Sequence, residues 1–244
     1  ASDVYKRQLH VVRLMIGGKI QNYRNILRRY IRDYGENEDI NRAVQVLERA
    51  KRDVLKAQDK TELIGYEGMA SNAYFEVLPI LILNQKTDFP FHGRNRRPPK
   101  DAVNAMLSFA YTLIANDVAA ALETVGLDPY VGFLHTLRPG RTSLALDMME
   151  ELRAYLGDRF ILSLINKRQI SVKDFLFQGD NGVVMTDKGK KTFITAWQAR
   201  KREVIIHPYL NEKVEIGLLP YVQAMLMARY IRQDIDDYPV FLIK

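Results

Sequence analysis

Three separate segments of this chain carry side chains that can bind a divalent cation. Glu67 lies between two glycines, His135 follows the segment Gly132-Phe133-Leu134, and Asp147 and Glu150 come shortly after it. Carboxylate oxygens and imidazole nitrogens are suitable ligands for Mg²⁺ or Mn²⁺. A cation of this kind assists the cleavage and transfer of phosphodiester bonds. The residue types therefore predict a divalent-metal site for phosphodiester chemistry.

Glu67 lies on the apolar face of a predicted helix. Leu63, Ala70 and Tyr74 share its stripe at positions i−4, i+3 and i+7. A buried carboxylate must gain a partner, shift its pKa or bind a cation, because an unpaired buried charge is costly. Pairing with a nearby arginine would satisfy it equally well. The flanking glycines favour a site, since a ligand can approach the backbone closely there.

Two acids and one histidine are predicted to meet at a second helix. Asp147 and Glu150 are three residues apart on this helix and therefore share one face. Glu151 is almost as well placed as Glu150, and periodicity does not separate them. His135 lies in the preceding loop, within reach of folding back over the helix. A lone histidine in a loop is more often a surface residue, so this pattern alone leaves its role open.

Basic residues near these segments are candidate DNA contacts. A loop that carries arginine and glycine at a helix N-terminus can hold a phosphate. Contacts of this kind are largely indifferent to sequence, and each arginine could equally be solvated or pair within the core. The candidate DNA-binding residues are Arg94, Arg96, Arg97, Arg138, Arg141, Lys190, Lys191 and Arg200.

Helical periodicity dominates the chain and predicts a mainly α fold. One short β-hairpin is predicted near 175–187, where Asp180-Asn181-Gly182 separates apolar residues, and we expect no other β element. Asp101 is a predicted N-cap, as is Thr142 or Ser143. Residues 1–8 resemble translated adapter sequence, so we expect a non-native start followed by a single helical domain over 9–244. The predicted helices cover 9–34, 38–57, 61–83, 102–125, 144–156, 188–202 and 213–234, with a short helix after Asp158.

Composition limits the possible function classes. The 244 residues include no cysteine, which excludes disulfides, thiolate ligands and a cysteine nucleophile. The net charge of +7 is compatible with a polyanionic partner but is also common in proteins that bind none. No run of 18 uninterrupted apolar residues or secretory signal is present, so we expect no membrane association and a cytoplasmic location. Trp197 and its aromatic neighbours are predicted to lie in the core.

Four sequence blocks in a fixed order resemble the CRISPR-associated endonuclease and integrase that captures new spacers. They are Gly65-Tyr66-Glu67-Gly68 with Tyr74-Phe75, Gly93–Pro99 with Asn104-Ala105, Gly132–His135, and Ser143–Arg153. The resemblance extends from about Leu9 to the end of the chain. It implies the helical catalytic domain of that family, without the family's N-terminal β-rich domain.

The resemblance also implies specific roles and partners. Glu67, His135 and Glu150 match the family's metal ligands, and Asp147 matches an acid close to the metal that either supports a ligand or acts as a base. The implied cofactor is Mg²⁺ or Mn²⁺. The implied reaction is attack of a spacer 3′-hydroxyl on a phosphodiester at the CRISPR repeat, with nuclease cleavage when water attacks instead. The implied partners are DNA, a second copy of the chain in a homodimer, and the small ferredoxin-like second CRISPR-associated protein.

Two other functions remain open at the sequence level. The first is a non-catalytic helical DNA-binding or scaffold module, in which the acids form internal salt bridges and the basic surface binds DNA. The second is an unrelated metal-dependent phosphohydrolase acting on nucleotides. Clustered His-Asp pairs are typical of that class, whereas His10, His92, His135 and His207 are scattered along this chain.

Overall fold

Helices form most of the protein, as the sequence predicts. A computed structural model describes residues 2–135 and 138–243. A π-helical segment, Arg153–Asp158, joins two of the helices. The elements are α1 Ser2–Tyr34, α2 Glu38–Lys56, α3 Lys60–Val77, α4 Ala102–Thr124, α5 Ser143–Met148, α6 Glu150–Leu152, α7 Arg159–Asn166, β1 Phe175–Phe177, β2 Val183–Met185, α8 Asp187–Lys201, β3 Val204–Ile206, β4 Lys213–Glu215 and α9 Leu219–Ile231.

The helices pack around one hydrophobic core, which positions α1 beside the helices that carry Glu67, Asp147 and Glu150. α1 packs against α2, α3, α6 and the π-helical segment, while α4 packs against α9, α5 and that same segment. α1 and α4 therefore flank the short helices that carry Asp147 and Glu150. Trp197 is buried and contacts Phe160 and Phe193, which confirms its predicted place in the core.

Side-chain caps fix where several helices begin. Asp101 accepts a hydrogen bond from the backbone N–H of Asn104 at 2.7 Å, which confirms it as the N-cap of α4. Asn37, Asp59 and Thr186 cap α2, α3 and α8 in the same way. Thr142 occupies the N-cap position of α5, but its side chain makes no capping hydrogen bond. Local capping therefore explains most of the predicted helix starts.

The predicted hairpin near 175–187 is present, with β1 antiparallel to β2. The prediction that it is the only β element is wrong, because β3 pairs antiparallel with β4 in a second hairpin. The predicted helix over 213–234 is therefore too long at its start. Lys213–Glu215 is extended because it pairs with β3, and α9 begins at Leu219 with Pro220 in its first turn.

α3 is less buried than its composition suggests. Leu63, Ala70 and Tyr74 are buried as predicted, but Ile64 and Met69 are exposed. No atom lies within 4 Å of a Cβ placed on Gly65 or Gly68, so the glycine face opens to solvent rather than to another backbone. α3 therefore buries one face and leaves the other exposed, although most of its residues are apolar or uncharged.

α4 is long and apolar enough to cross a membrane by length and composition alone. In the structure it packs against α9, α5, β2 and the π-helical segment, and twelve of its residues are buried. Its apolar surface is therefore used within the protein core.

Candidate metal and nucleic-acid site

Lys19 joins two of the predicted metal ligands. Its side chain is 2% exposed, and its ammonium contacts Glu67 Oε1 and lies 2.7 Å from Glu150 Oε2. Glu67 also accepts a hydrogen bond from the Ser71 hydroxyl, one turn further along α3, at 2.7 Å. α1, α3 and α6 thus bring one ammonium and two carboxylates together at a point where the three helices meet.

The local charges shift the pKa values of all three groups. Burial alone would raise the pKa of Glu67, but Lys19 lowers it to about 2. Burial acts on Glu150 in the same direction, and Arg153 and Lys19 together bring its pKa below the usual value. Burial alone would lower the pKa of Lys19, but Glu150, Tyr23 and Glu67 raise it above its ordinary value. Both acids are therefore held as carboxylates, the form that binds a cation.

Arg153 is a second cation beside Glu150. Its guanidinium lies 3.0 Å from Glu150 Oε1, and it is stacked 4.9 Å from the centre of the Tyr111 ring. Glu150 Oε2 is buried and has no hydrogen-bond partner in the described part of the chain, although it lies 2.7 Å from the Lys19 ammonium. That contact is a close ion pair. One oxygen of Glu150 thus keeps a lone pair unused.

Asp147 holds the loop that carries His135. Its carboxylate accepts hydrogen bonds from the backbone N–H groups of Phe133, Leu134 and His135 at 2.6, 2.8 and 3.1 Å. Asp147 Oδ1 also lies 2.5 Å from His135 Nδ1. A neutral imidazole that donates Nδ1–H to a carboxylate has its Nε2 lone pair free for a ligand, and metal-binding histidines commonly use this arrangement. These contacts suit an Asp147 that supports the ligand His135 better than an Asp147 that acts as a base.

Gly132 allows this loop to approach α5. A Cβ at Gly132 would lie 2.7 Å from the Ser143 Cβ and 2.8 Å from Asp147 Oδ2. Non-bonded contacts of a Cβ atom are essentially never this short in proteins. The glycine is thus required for the backbone N–H groups that follow it to reach Asp147.

The structure separates Glu150 from Glu151, which periodicity leaves open. Glu151 is completely buried and accepts hydrogen bonds from the Tyr238 hydroxyl, from Gln223 Nε2 at 3.1 Å and from the Phe241 backbone N–H at 2.7 Å. Burial raises the pKa of Glu151 to about 7. Glu151 thus holds the C-terminal segment, whereas Glu150 faces Glu67.

The donor set fits a hard divalent cation. Glu67 and Glu150 already share the Lys19 ammonium, and their carboxylates have further lone pairs that can accept another ligand bond. Within residues 2–135 and 138–243, no three His, Asp or Glu side chains are gathered closely enough to form a complete metal cluster. The triad of Glu67, His135 and Glu150 therefore stays a prediction, with Lys19 in contact with two of its members.

A groove of about 820 Å³ opens beside Glu67. Lys19, Arg94, Arg96 and Arg153 line it, so the groove is positively charged and can accept a phosphate backbone. The Nε atoms of Arg94 and Arg153 are buried and have no hydrogen-bond partner in the part of the chain that the structure describes. A donor left in this state can be satisfied by a ligand oxygen.

The predicted DNA contacts do not form one surface. Arg94 is pinned to α4 by hydrogen bonds to Asn104 Oδ1 at 2.8 Å and Ser108 Oγ at 3.1 Å, so it holds the loop as well as lining the groove. Arg96 lines the groove and is exposed. The remaining candidates do not line the groove: Arg97, Arg138, Lys190 and Lys191 are exposed, and Arg141 and Arg200 are partly buried.

Comparison with known proteins identifies the family and the fold. The family model described as CRISPR associated protein Cas1 matches residues 1–199. The chain belongs to the Cas1 family. Two Cas1 relatives are a CRISPR-associated endonuclease from Chlorobaculum tepidum and one from Leptospira interrogans. The first is 50% identical over 99% of this chain and 71% of its own length, and the second is 44% identical over 100% and 96%.

Solved structures agree with this assignment. A Cas1 protein from Thermotoga maritima is 26% identical, with a TM-score of 0.77 over 97% of this chain and 70% of that protein. A casposase bound to an integration product has a TM-score of 0.81 at 22% identity, over 96% of this chain and 64% of the casposase. The casposase likeness is one of fold. The mainly helical architecture predicted from sequence is thus that of Cas1 proteins.

Sequence reasoning about this Cas1 family member missed Lys19 as a site residue. Lysines of an amphipathic helix usually lie on its solvent-exposed face, whereas the structure buries Lys19. The signal was present, because Met15, Ile16 and Tyr23 lie at i−4, i−3 and i+4 from Lys19 and all three are buried. A lysine in the apolar stripe must reach an acid, as Glu67 must reach a cation. Sequence reasoning also missed Arg153 as a partner of Glu150, because no comparable pattern of buried neighbours marks it.

Proposed function

We propose that this chain is the catalytic domain of a metal-dependent DNA endonuclease and integrase that inserts new spacers into a CRISPR array. Membership of the Cas1 family supports this function, and the relatives are named as CRISPR-associated endonucleases. The observation that carries the proposal is the convergence of the Glu67 and Glu150 carboxylates beside a groove lined by arginines. Two carboxylates held close together beside a phosphate-binding surface can bind the divalent cation that phosphodiester chemistry uses.

The proposed site assigns one task to each side chain. Glu67 and Glu150 supply carboxylate oxygens to Mg²⁺ or Mn²⁺, and His135 supplies Nε2. Asp147 keeps the His135 ring oriented through its contact with Nδ1. A bound divalent cation lowers the pKa of the attacking hydroxyl and stabilises the charge that develops on the phosphoryl group.

The proposed reaction is a transesterification. A DNA 3′-hydroxyl attacks the phosphorus, the new P–O bond forms, and the bond to the leaving 3′-oxygen breaks as that oxygen takes up a proton. Arg94 and Arg153 can donate to the non-bridging phosphate oxygens, since both have a free buried Nε–H. Water in place of the 3′-hydroxyl gives strand cleavage at the same residues.

The partners are part of the same proposal. DNA would bind through the groove arginines and the exposed Arg97, Arg138, Lys190 and Lys191. A homodimer and the second CRISPR-associated protein would complete the assembly, and solved structures with the same fold include a Cas6-RT-Cas1–Cas2 complex and the DNA-bound casposase. The proposed location is the cytoplasm, where the array is found.

A non-catalytic DNA-binding or scaffold module is the second candidate, and one observation favours it. Lys19 already neutralises Glu67 and Glu150, which is the internal pairing that a scaffold would use. In that case the acids would stabilise the fold, and DNA binding would require no metal.

The two candidates are separated by a cleavage assay on forked DNA with Mn²⁺. We expect wild type to cut, and we expect Glu67→Gln, His135→Ala and Glu150→Gln to reduce cutting at least 100-fold while still binding DNA, since each removes a ligand. Glu123→Gln, at an exposed position of α4, is the matched control and should cut normally. Circular dichroism checks folding. Cutting that persists in all three variants, or binding without any cutting, supports the scaffold.

A further inference from the structure

A second group of cations surrounds Tyr155, away from the Glu67 groove. The Arg159 guanidinium lies 5.0 Å from the centre of the Tyr155 ring, and the Arg200 guanidinium lies 5.1 Å from it. Arg29 of α1 lines the same cavity as both of them. We call Arg29, Arg159 and Arg200 the Tyr155 arginine cluster. It joins α1, α7 and α8, which are far apart in sequence.

The Tyr155 arginine cluster has more positive charge than its acids neutralise. Arg200 Nη1 lies 2.5 Å from Glu203, and Arg29 Nε lies 3.4 Å from Asp33. Arg159 has no carboxylate partner in the described part of the chain. Burial, and then the neighbouring Arg29 and Arg200, lower the pKa of Arg159. Like charges held this close favour a bound anion.

The cluster also has unused hydrogen-bond donors. Arg200 Nε is buried and makes no hydrogen bond with any described residue. Stacking on Tyr155 occupies the faces of the Arg159 and Arg200 guanidinium groups. It leaves for a ligand the N–H edge of Arg159 and those N–H groups of Arg200 that Glu203 does not bind. A phosphate accepts two such N–H groups from each guanidinium edge. The donor geometry therefore suits a phosphate better than a single metal or halide ion.

The surrounding surface is concave and suited to a nucleic-acid strand. A cavity of about 620 Å³ contains all three arginines together with Lys167, Ser163 and the exposed Tyr34. A second cavity of about 240 Å³ shares Arg29 and Arg159, which thus form the wall between the two. Cations that contact phosphates beside an exposed aromatic ring are the usual combination for binding a nucleic-acid strand.

This surface is separate from the Glu67 groove, but helix α1 contributes to both. The groove and the 620 Å³ cavity have no lining residue in common. Lys19 and Arg29 are ten residues apart on α1, which corresponds to about 15 Å along the helix axis. The axial separation of the two surfaces along α1 is therefore about the length of a few nucleotides.

We propose that Arg29, Arg159 and Arg200 form a second phosphate-binding site, which holds the DNA backbone about 15 Å from the Glu67 groove. This inference rests on the proposed function, because it assigns the anion to the DNA that the groove acts on. It adds a binding surface that none of Glu67, His135, Asp147 and Glu150 contributes to.

The test measures binding of a forked DNA to the full chain across a range of salt concentrations. Arg159→Gln and Arg29→Gln should each weaken binding about five- to tenfold and reduce the slope of log affinity against log salt by about 1. Arg52→Gln removes the same charge from an exposed position of α2 and is the matched control. Arg29 is half-exposed, so its variant keeps the proposal testable even when Arg159→Gln fails to fold.

Cutting at saturating DNA separates this site from the catalytic one. The two variants should cut at the wild-type rate once enough DNA is present, because the cluster binds DNA without touching the reacting phosphate. Binding losses no larger than that of Arg52→Gln would overturn the second site while leaving the proposed nuclease intact. Binding losses in a chain that never cuts would support the site and refute the nuclease. Absence of DNA binding by wild type would overturn both.

Discussion

At the scale of single residues, Lys19 decides the electrostatics of the candidate site. It is a buried ammonium between two carboxylates that would otherwise repel each other. Breaking a buried ion pair is costly because it leaves the remaining charge without a partner in a poorly solvated place. Lys19 therefore stabilises the site when no divalent cation is bound, and a bound cation would take over part of that task.

Lys19→Met tests this role. We expect the free energy of unfolding in EDTA to fall by about 3 kcal/mol, since Glu67 then loses its cation and faces Glu150, which keeps only Arg153. Mn²⁺ should restore part of the loss by supplying the missing charge. Urea unfolding with and without Mn²⁺, followed by the fluorescence of Trp197, is the measurement.

The matched control is Lys201→Met. It breaks the partly exposed ion pair between Lys201 and Asp117, so the loss should stay below about 1 kcal/mol and should not depend on Mn²⁺. A Lys19→Met protein that is as stable as wild type, or that ignores Mn²⁺, would contradict the role given to Lys19.

At the scale of elements, the π-helical segment Arg153–Asp158 connects the two charged surfaces. Its first residue, Arg153, pairs with Glu150, while Tyr155 carries the stacked arginines. Its last residue, Asp158, is buried and accepts a hydrogen bond from the Tyr111 hydroxyl at 2.6 Å. Wide helical turns of this kind often occur at functional sites. One short segment of irregular helix thus orients side chains toward both surfaces.

Asp158 makes the stability of this segment depend on pH. Burial raises the pKa of Asp158 to about 6, against the opposing effects of the Tyr111 hydrogen bond and of Arg153. The folded protein therefore binds this proton more tightly than the unfolded chain does. Protonated Asp158 therefore contributes its full share to the free energy of unfolding below about pH 4, and this contribution is lost as the pH rises through about 6.

Asp158→Asn removes this dependence because the amide does not titrate. We expect the stability of wild type relative to Asp158→Asn to fall by roughly 3 kcal/mol between pH 4 and pH 7. Denaturant unfolding of both proteins at a series of pH values measures the difference. Parallel pH profiles for the two proteins would show that Asp158 keeps an ordinary pKa.

At the scale of the whole molecule, the sequence predicts the fold well where the signals are local. Asp101 caps α4 because a carboxylate at that position bonds the exposed backbone N–H groups, and the stripe of Leu63, Ala70 and Tyr74 correctly buries one face of α3. The second hairpin was missed because Val204–Ile206 and Lys213–Glu215 become strands only by pairing with each other. Such pairing depends on contacts between segments, which periodicity within one segment does not show.

The sequence predicts the acids and the histidine of the site but not the cations beside them, because those contacts also join segments that are distant in sequence. Ordered blocks resembling a known family identify Glu67, His135 and Glu150 as candidates, but the cation that joins two of them comes from α1, almost fifty residues before Glu67. The Tyr155 arginine cluster likewise draws one residue from each of three helices. The net charge of +7 indicates an excess of cations but not where they gather.

The central claim is that Glu67, His135 and Glu150 hold a divalent cation, and titration calorimetry with Mn²⁺ tests it most directly. We predict saturable binding to wild type and to Glu123→Gln, and binding at least tenfold weaker in Glu67→Gln, His135→Ala and Glu150→Gln. Equal binding by all five proteins, or no saturable binding by wild type, would contradict the claim and leave the acids as partners of Lys19 and Arg153 within a DNA-binding scaffold.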